Sequence, residues 1–176
     1  MGCTVIYRDE NSPVAHKPAL RELKDAKDII ISEEMLEKPL VKANLETVRI
    51  LRERLGNRVM IMGRGDQGPF SLASQVYGMD RLLTDLLDEE CEEDIHCLLE
   101  KCTEADILYC NALLDAGAHI TSLGDSTAGP GVLSPAMYEE FALPYEKKVA
   151  DRVHERGGLI SLHICGNATR IIAKWY

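Results

Sequence analysis

Four short, largely apolar runs alternate along the chain with longer segments of mixed polarity. They cover residues 4–7, 58–62, 119–123 and 158–163. Runs of this length and polarity are typical of strands that are buried on both faces of a parallel sheet. We therefore predict four parallel strands at these positions.

Three of the intervening segments have the apolar spacing of amphipathic helices. Apolar stripes run through residues 40–55, 95–114 and 134–156, and each is followed closely by a glycine. Glycine is favoured just after the last helical residue because it tolerates the left-handed conformation that ends many helices. Ser134 followed by Pro135 is a typical helix start, with serine as N-cap and proline at the first helical position.

The alternation of strands and helices predicts a parallel α/β fold with helices outside the sheet. An open doubly wound sheet and a (β/α)8 barrel both satisfy this order. No G-x-G-x-x-G turn follows any of the strands, so the dinucleotide-binding fingerprint and a nucleotide cofactor are not indicated. Polar, glycine-rich loops at 63–68, 124–131 and 163–167 follow three strands, as in barrel enzymes. We predict that residues 1–176 form one partial TIM-type barrel domain.

Four strands cannot close such a barrel, and only residues 164–176 follow the last one. We expect that the chain is either part of a larger barrel or a homo-oligomer that covers its open edges. Helix residues that a complete barrel would cover, Leu98, Leu99 and Cys102, are then expected to be exposed.

The charge balance excludes two classes of partner. The formal net charge is −9 and the pI is near 5.0. Nucleic acid and anionic membrane surfaces both require a basic face, so neither is expected as a partner. No apolar run approaches the roughly 18 residues that span a bilayer, and no secretory signal is recognised. The six cysteines lack regular pairing and are expected to be free thiols in the cytoplasm.

His163 and Cys165 are the strongest candidates for a chemical site. Residues i and i+2 of a strand point to the same side, so the imidazole and the thiolate can reach one ion. This ligand pair suits Zn²⁺ better than a hard cation, and two further ligands must come from elsewhere. The alternative is that Cys165 is a small core residue and His163 a hydrogen-bonded loop residue.

The loops after the second and third predicted strands carry further polar candidates. Asp125 is interpreted as catalytic, as an acid or base, with a substrate anchor, a metal-supporting group or a loop cap as the alternatives. Arg64, Asp66 and Gln67 are interpreted as substrate-binding, with Arg64 suited to a substrate carboxylate.

Several motifs resemble those of a known family. Gln67-Gly68-Pro69-Phe70-Ser71-Leu72-Ala73 resembles a G-P-F-T-L-A loop, and Phe141-Ala142-Leu143-Pro144-Tyr145 an F-x-L-P-Y helix. Asp125 to Gly129 with Leu133-Ser134-Pro135 resembles D-x-x-A-G/S…L-S-P, and His163-Ile164-Cys165-Gly166-Asn167 is similar to H-x-C-G-N. Together these motifs resemble the uroporphyrinogen decarboxylase superfamily over almost the whole chain.

The H-I-C-G-N form resembles the methylcobamide:thiol methyltransferase branch of that superfamily. The resemblance implies a zinc enzyme that passes a methyl group from a corrinoid protein to a thiol such as coenzyme M, with His163 and Cys165 as zinc ligands. The family's further cysteine ligand, much later in its chain, has no counterpart in residues 1–176. The alternative is uroporphyrinogen decarboxylase of porphyrin biosynthesis, which acts on a tetrapyrrole without a cofactor. A second alternative is a non-catalytic, oligomeric remnant. Relative to the family, the chain is expected to be truncated at both ends.

Overall fold

The computed structural model describes residues 1–8, 11–65 and 67–175, which form a hairpin, a three-stranded sheet and surrounding helices. The hairpin consists of β1 (Thr4–Arg8) and β2 (Asn11–Lys17), and the sheet of β3 (Met62–Arg64), β4 (Ile120–Gly124) and β5 (Leu159–His163). The helices are α1 (Pro39–Leu55), α2 (Pro69–Tyr77), α3 (Met79–Asp85), α4 (Glu92–Asp115), α5 (Pro135–Phe141), α6 (Leu143–Glu155) and α7 (Thr169–Ile172). Short 3-10 turns cover Leu23–Asp28, Glu33–Glu37, Glu89–Cys91, Ser126–Ala128 and Ala173–Trp175.

The sheet is parallel throughout, in the order β3-β4-β5. Arg64 lies opposite Ser122, and Gly124 lies opposite His163. The carboxyl ends of all three strands therefore lie at the same edge of the sheet. The predicted parallel arrangement and the third and fourth predicted strands are confirmed.

The first predicted strand forms, but the prediction that it belongs to the parallel sheet is wrong. β1 pairs antiparallel with β2, with Val5 opposite Ala15. The sequence of β2, Asn-Ser-Pro-Val-Ala-His-Lys, has no apolar run and was not recognised as a strand. Because the two strands are close in the chain, the hairpin forms without a crossover helix.

The second predicted strand begins later than its apolar run. Arg58 instead completes the end of α1, where its side chain donates to the carbonyls of Leu55 (3.2 Å) and Arg54 (3.0 Å). Strand pairing starts at Met62, although the carbonyl of Ile61 already accepts from the backbone N–H of His119 (2.8 Å). The prediction of a strand at 58–62 is therefore wrong in its bounds.

The third predicted helix is two helices, α5 and α6. Ser134 caps α5 as predicted, since its side chain accepts from the backbone N–H of Met137 (3.2 Å). The break lies at Ala142, where φ is −125° and ψ is −57°. Pro144 has no N–H to continue the first helix, but it fits the first turn of a second one.

The largest core cluster lies among the helices. Phe70 of α2, Leu98 and Leu99 of α4 and Tyr138 of α5 are all fully buried within it. The prediction that Leu98, Leu99 and Cys102 are exposed is wrong, because each has 0% exposure. α2, α6 and the turn Leu23–Asp28 pack against α4 and cover this stripe.

The sheet itself is covered on one face. Leu123 of β4 packs with Val149 and Val153 of α6 and with Cys110 of α4. On the other face Met62 is 48% and Leu159 is 52% exposed. Within the described residues β3 and β5 each pair with β4 alone, so each has an outer edge without a strand neighbour.

The structure also bears on the predictions for the cysteines and for membrane-spanning helices. All six cysteines are free thiols, as predicted. In the described part of the chain, no helix is both long enough and apolar enough to cross a bilayer.

We expect the chain to self-associate through the open face and edges of the sheet. Covering a few hundred Å² of apolar surface at roughly 25 cal/mol per Å² supplies several kcal/mol, which competes with the entropy of association. Light scattering at micromolar concentration should therefore report an oligomer, and Leu159→Lys should shift it toward monomer. Leu87→Lys, at an 80% exposed position on the loop after α3, is the control. A stable wild-type monomer would contradict this expectation.

Candidate functional site

The loops that follow β3, β4 and β5 meet at one end of the sheet. The backbone N–H of Gly68 donates to the carbonyl of Gly124 (2.8 Å), and that of Asp125 donates to the carbonyl of His163 (2.8 Å). The three loops predicted to converge are therefore joined in pairs by backbone hydrogen bonds. The convergence is confirmed for the described residues, which leave out Asp66.

Asp125 is the centre of this junction. Its Oδ1 accepts from the backbone N–H of Ser71 (2.7 Å) and its Oδ2 from that of Phe70 (3.1 Å). These amides belong to the first turn of α2, where the helix has no carbonyl partners for them and favours negative charge. Ser71 Oγ also lies 2.8 Å from Thr127 Oγ1, so a second contact joins the same two segments.

Two glycines allow the loops to approach this closely. A Cβ on Gly68 would lie 2.5 Å from the Cβ of Asp125, and one on Gly129 would lie 2.3 Å from the carbonyl oxygen of Cys165. Both distances are far below contact distance, so neither position accepts a larger residue without displacing backbone or Asp125. The glycines of the two recognised loop motifs are thus explained by packing between loops.

His163 and Cys165 lie together at the end of β5. Both residues are exposed, and His163 Nε2 is 3.4 Å from Cys165 Sγ. This spacing permits a hydrogen bond between thiol and imidazole. It is also close to the separation of about 3.5 Å that a nitrogen and a sulfur ligand have in a tetrahedral zinc site. The donor types and their spacing therefore fit a zinc ion that takes its remaining ligands from elsewhere.

A cavity of about 450 Å³ lies beside His163. Its walls include Arg64, Gln67, Ser122, Ser161 and His163. The structure thus brings two of the predicted substrate-binding residues, Arg64 and Gln67, to the same space as His163. Asp66, the third, lies outside the described residues.

Gln67 has an unusual backbone conformation in the wall of this cavity. Its φ is +126°, a region that residues with a Cβ rarely adopt. Its side-chain carbonyl accepts from Gln75 Nε2 of α2 (2.8 Å). Strained residues of this kind concentrate at functional sites, where the surrounding structure holds them in place.

The structure places Asp125 behind the cavity wall and not in it. The residue has 0% exposure, and both carboxylate oxygens are engaged by α2. Its catalytic role stays a prediction, and the geometry favours a role in positioning the loops. Burial raises the pKa of Asp125, and the hydrogen bonds from Ser71 and Phe70 oppose that rise.

Glu146 of α6 is a buried carboxyl that the sequence analysis missed. It has 0% exposure, and Tyr138 OH donates to its Oε2, while Trp175 Nε1 donates to Tyr138 OH (3.0 Å). Burial, followed by the nearby Asp125 charge, raises the pKa of Glu146 to about 8. Oε1 receives no hydrogen bond from the described residues, so an ionised Glu146 would leave one oxygen unpaired. Burial and the charge of Asp125 therefore favour the protonated form of Glu146.

The sequence does contain a signal for Glu146. It lies one helical turn before Val149 and Ala150 and two turns before Val153, all of them buried. An ionised glutamate on the apolar stripe of an amphipathic helix is destabilising. A glutamate at such a position is therefore expected to be neutral and hydrogen-bonded. This position directly follows the F-A-L-P-Y motif.

A separate group of possible metal ligands lies on the outer helices. One ligand atom each from Glu92, His96 and Glu140 lies within 4.8 Å of the others. His96 Nδ1 is 2.6 Å from Tyr145 OH, which leaves Nε2 on the side of Glu92 (3.8 Å). These residues belong to α4 and α5 and not to the strand-end loops that carry His163 and Cys165.

Comparisons with known proteins agree on one family. The family model described as "Uroporphyrinogen decarboxylase (URO-D)" matches residues 1–175. The methylcobamide:CoM methyltransferase MtbA of Methanosarcina mazei is 32% identical over 173 residues, which is 98% of this chain and 49% of that protein. A uroporphyrinogen decarboxylase of Geotalea daltonii is 31% identical over 163 residues, which is 90% of this chain and 46% of that protein.

A solved structure gives the same result at the level of the fold. The methyltransferase from Methanosarcina mazei superposes with a TM-score of 0.88 at 26% identity, covering 99% of this chain and 50% of that one. The prediction of an α/β fold that is part of a TIM-type barrel is confirmed. The chain spans about half the length of the relatives it matches.

We expect Glu146→Gln to flatten the pH dependence of stability. In the unfolded chain a glutamate ionises near 4.5, whereas the folded protein holds this proton to about pH 8. Between these values the unfolded state binds fewer protons, so the free energy of unfolding falls as pH rises. The neutral amide removes this contribution. Relative to the wild type, the free energy of unfolding of the variant should therefore increase toward pH 8 by on the order of a few kcal/mol.

Urea unfolding followed by circular dichroism at several pH values between these limits measures the effect. The control is Glu155→Gln, an exposed position on the same helix, which should keep the wild-type slope. An equal slope in wild type and Glu146→Gln would show that Glu146 ionises normally in the folded protein.

Proposed function

Because the chain belongs to the uroporphyrinogen decarboxylase family, we propose that it is a zinc-dependent methyltransferase of that family, which moves a methyl group from a corrinoid protein to a thiol. The observation that carries the proposal is the His163–Cys165 pair, with Nε2 and Sγ 3.4 Å apart at the end of β5. A cofactor-free decarboxylase has no need for a soft ligand pair at this place. The relative named as a methylcobamide:CoM methyltransferase supports the same choice.

His163 and Cys165 would hold the zinc ion through imidazole nitrogen and thiolate sulfur. When bound, zinc supplies a Lewis acid that keeps a coordinated acceptor thiol deprotonated at neutral pH. Two protein ligands leave the ion open to water and chelators, so we propose weak binding that declines at low pH, where protons compete with metal ions for their ligands. The loops joined by Asp125 fix the positions of the two ligands relative to the cavity.

The cavity beside the pair would take the acceptor thiol. Arg64 in its wall supplies a positive charge for an acidic group of the substrate, and Gln67 supplies an amide. Asp66, between them in sequence, is proposed as a third substrate-binding residue. Asp125 acts on the substrate only through the loops that it holds.

We further propose that residues 1–176 form one partial barrel domain that works as a homo-oligomer in the cytoplasm. The unpaired edges of β3 and β5 support the oligomer, and six free cysteines fit a reducing compartment. The net charge of −9 argues against nucleic acid as a partner, and the methylcobamide:CoM methyltransferase relative supports a corrinoid protein and a small thiol.

Uroporphyrinogen decarboxylase activity on a tetrapyrrole is the second candidate. The Geotalea daltonii decarboxylase is nearly as similar in sequence as the methyltransferase, and Arg64 suits the carboxylates of a tetrapyrrole. The two proposals differ in their need for zinc. A chain without metal and without activity would instead favour the non-catalytic remnant.

We expect purified protein to retain substoichiometric zinc that depends on both ligands. Cys165→Ser and His163→Ala should each abolish zinc binding, because a single remaining ligand cannot hold the ion against water. Elemental analysis after dialysis, with competition against a chromophoric chelator, measures the content and affinity.

Three variants distinguish zinc binding at His163 and Cys165 from zinc binding elsewhere in the chain. Cys97→Ser and His154→Ala remove a thiol and an imidazole elsewhere on the helices and should leave the zinc content unchanged. His96→Ala removes the central ligand of the Glu92–His96–Glu140 group. Zinc that persists in Cys165→Ser but disappears in His96→Ala would place the metal on the outer helices and contradict the proposed site.

A further inference from the structure

A second cavity, of about 360 Å³, lies between the hairpin, the turn Glu33–Glu37, α2 and α4. Its volume is within the range of small-molecule sites in proteins. Most of its wall is apolar, with Val5, Leu36, Val41, Leu72 and Leu108 among the lining residues. No lysine or arginine side chain lines it in the described part of the chain.

Asp106 of α4 lines this cavity and is not explained by the fold. Its residual exposure is 7%, and its Oδ2 is buried without a hydrogen-bond partner among the described residues. The neighbouring positions on the same helix face, Cys102 and Cys110, are buried and offer no positive charge. Burial raises the pKa of Asp106 well above its usual range, and the nearby Asp125 adds to this rise. A buried carboxyl without a partner is destabilising unless something else satisfies it.

Three other polar side chains of the cavity wall, Gln67, Gln75 and Tyr109, have partners, and the α-amino group of Met1, a residue that also lines the wall, is not among the charges that shift the pKa of Asp106. Gln75 donates to Gln67 (2.8 Å), and Asn44 donates to Tyr109 OH. Four side chains in the described residues contain a buried polar atom without a partner: Asp106, Asn111, Thr121 and Glu146. Of these, Asp106 alone lines the cavity. The combination is an apolar cavity with one acidic side chain in its wall, and one oxygen of that side chain is buried without a partner.

We propose that this cavity binds a small organic ammonium ion, with the ammonium group paired to Asp106 and the hydrocarbon part against the apolar wall. A bound cation favours the ionised form of Asp106, so the carboxyl releases its proton to solvent on binding and accepts a charge-assisted hydrogen bond from the ammonium group, which a neutral ligand cannot supply. The net charge of −9 favours a cation over an anion at any opening on this surface. The site contains neither His163 nor Cys165, although Gln67 lines both cavities, and it does not rest on the proposed methyl transfer.

Two ligands of equal length test the proposal, with n-butylammonium chloride as the probe and n-butanol as its neutral counterpart. Each is titrated into the ¹⁵N-labelled full chain at constant chloride concentration, and amide shifts are followed by NMR. Butylammonium should bind saturably and shift amides of Leu72, Ala105 and Leu108. Butanol should bind at least about tenfold more weakly, because it cannot form the charge-assisted hydrogen bond.

Asp106→Asn keeps the shape of the side chain and removes its charge. Butylammonium should bind this variant about tenfold more weakly or worse, down to the level of butanol, whereas Asp151→Asn, at an exposed position on α6, should bind like the wild type. Three results would overturn the proposal: no saturable shifts, equal binding of the two ligands to the wild type, or shifts confined to the acidic surface around Glu92 and Glu140. The comparison of the two ligands on the wild type decides the question even if Asp106→Asn does not fold.

Discussion

The carboxylate of Asp125 joins the parts of this molecule that make a site possible. The carboxylate accepts hydrogen bonds from two backbone N–H groups in the first turn of α2. The backbone N–H of Asp125 donates to the carbonyl of His163. One residue on the loop after β4 is thereby bonded to the helix that follows β3 and to the end of β5. Without it, α2 would begin with unsatisfied amides in a buried place. The loop after β4 would keep its backbone bonds to Gly68 and His163 but lose the two bonds that fix the start of α2.

Burying this charge has consequences for the residues around it. Asp125, Glu146 and Asp106 are three acidic groups in or beside the core, and for each of them burial raises the pKa. The amides of α2 stabilise negative charge on Asp125, so Glu146 is the group that keeps its proton. Tyr138 and Trp175 extend this network from Glu146 to the last described turn of the chain. The network therefore links the site loops to α5, α6 and the turn Ala173–Trp175.

The sequence predicted most reliably those features that depend on local patterns. The apolar runs at β4 and β5, the helix start at Ser134 and the convergence of three glycine-rich loops were all predicted correctly. The pairing of β1 with β2 was not, because a polar strand with a proline gives no periodic signal. The start of β3 was also missed, since Arg58 has hydrogen bonds to the end of α1 that hydrophobicity does not reveal. Both depend on contacts that the pattern of a single segment cannot contain.

Only part of the candidate site could be predicted from the sequence, for the same reason. His163 and Cys165 are two residues apart, so strand geometry was enough to pair them. Arg64 and Gln67 were associated with the site through their position after a strand. The position of Asp125 behind the wall, by contrast, depends on amides 54 and 55 residues away in the chain. Glu146 depends on Asp125 in turn, and no spacing rule connects them.

The claim that Asp125 holds the three loops together is tested most directly by amide hydrogen exchange in Asp125→Asn. The account predicts faster exchange in three separated segments, 68–72, 125–129 and 163–167, with little change in α1, which in the described part of the chain makes no hydrogen bond to Asp125. The neutral amide lacks the charge that pairs with the start of α2, so Phe70 and Ser71 should lose protection first. Faster exchange confined to residues next to position 125, with wild-type protection of Phe70, Ser71 and the 163–167 segment, would contradict the account.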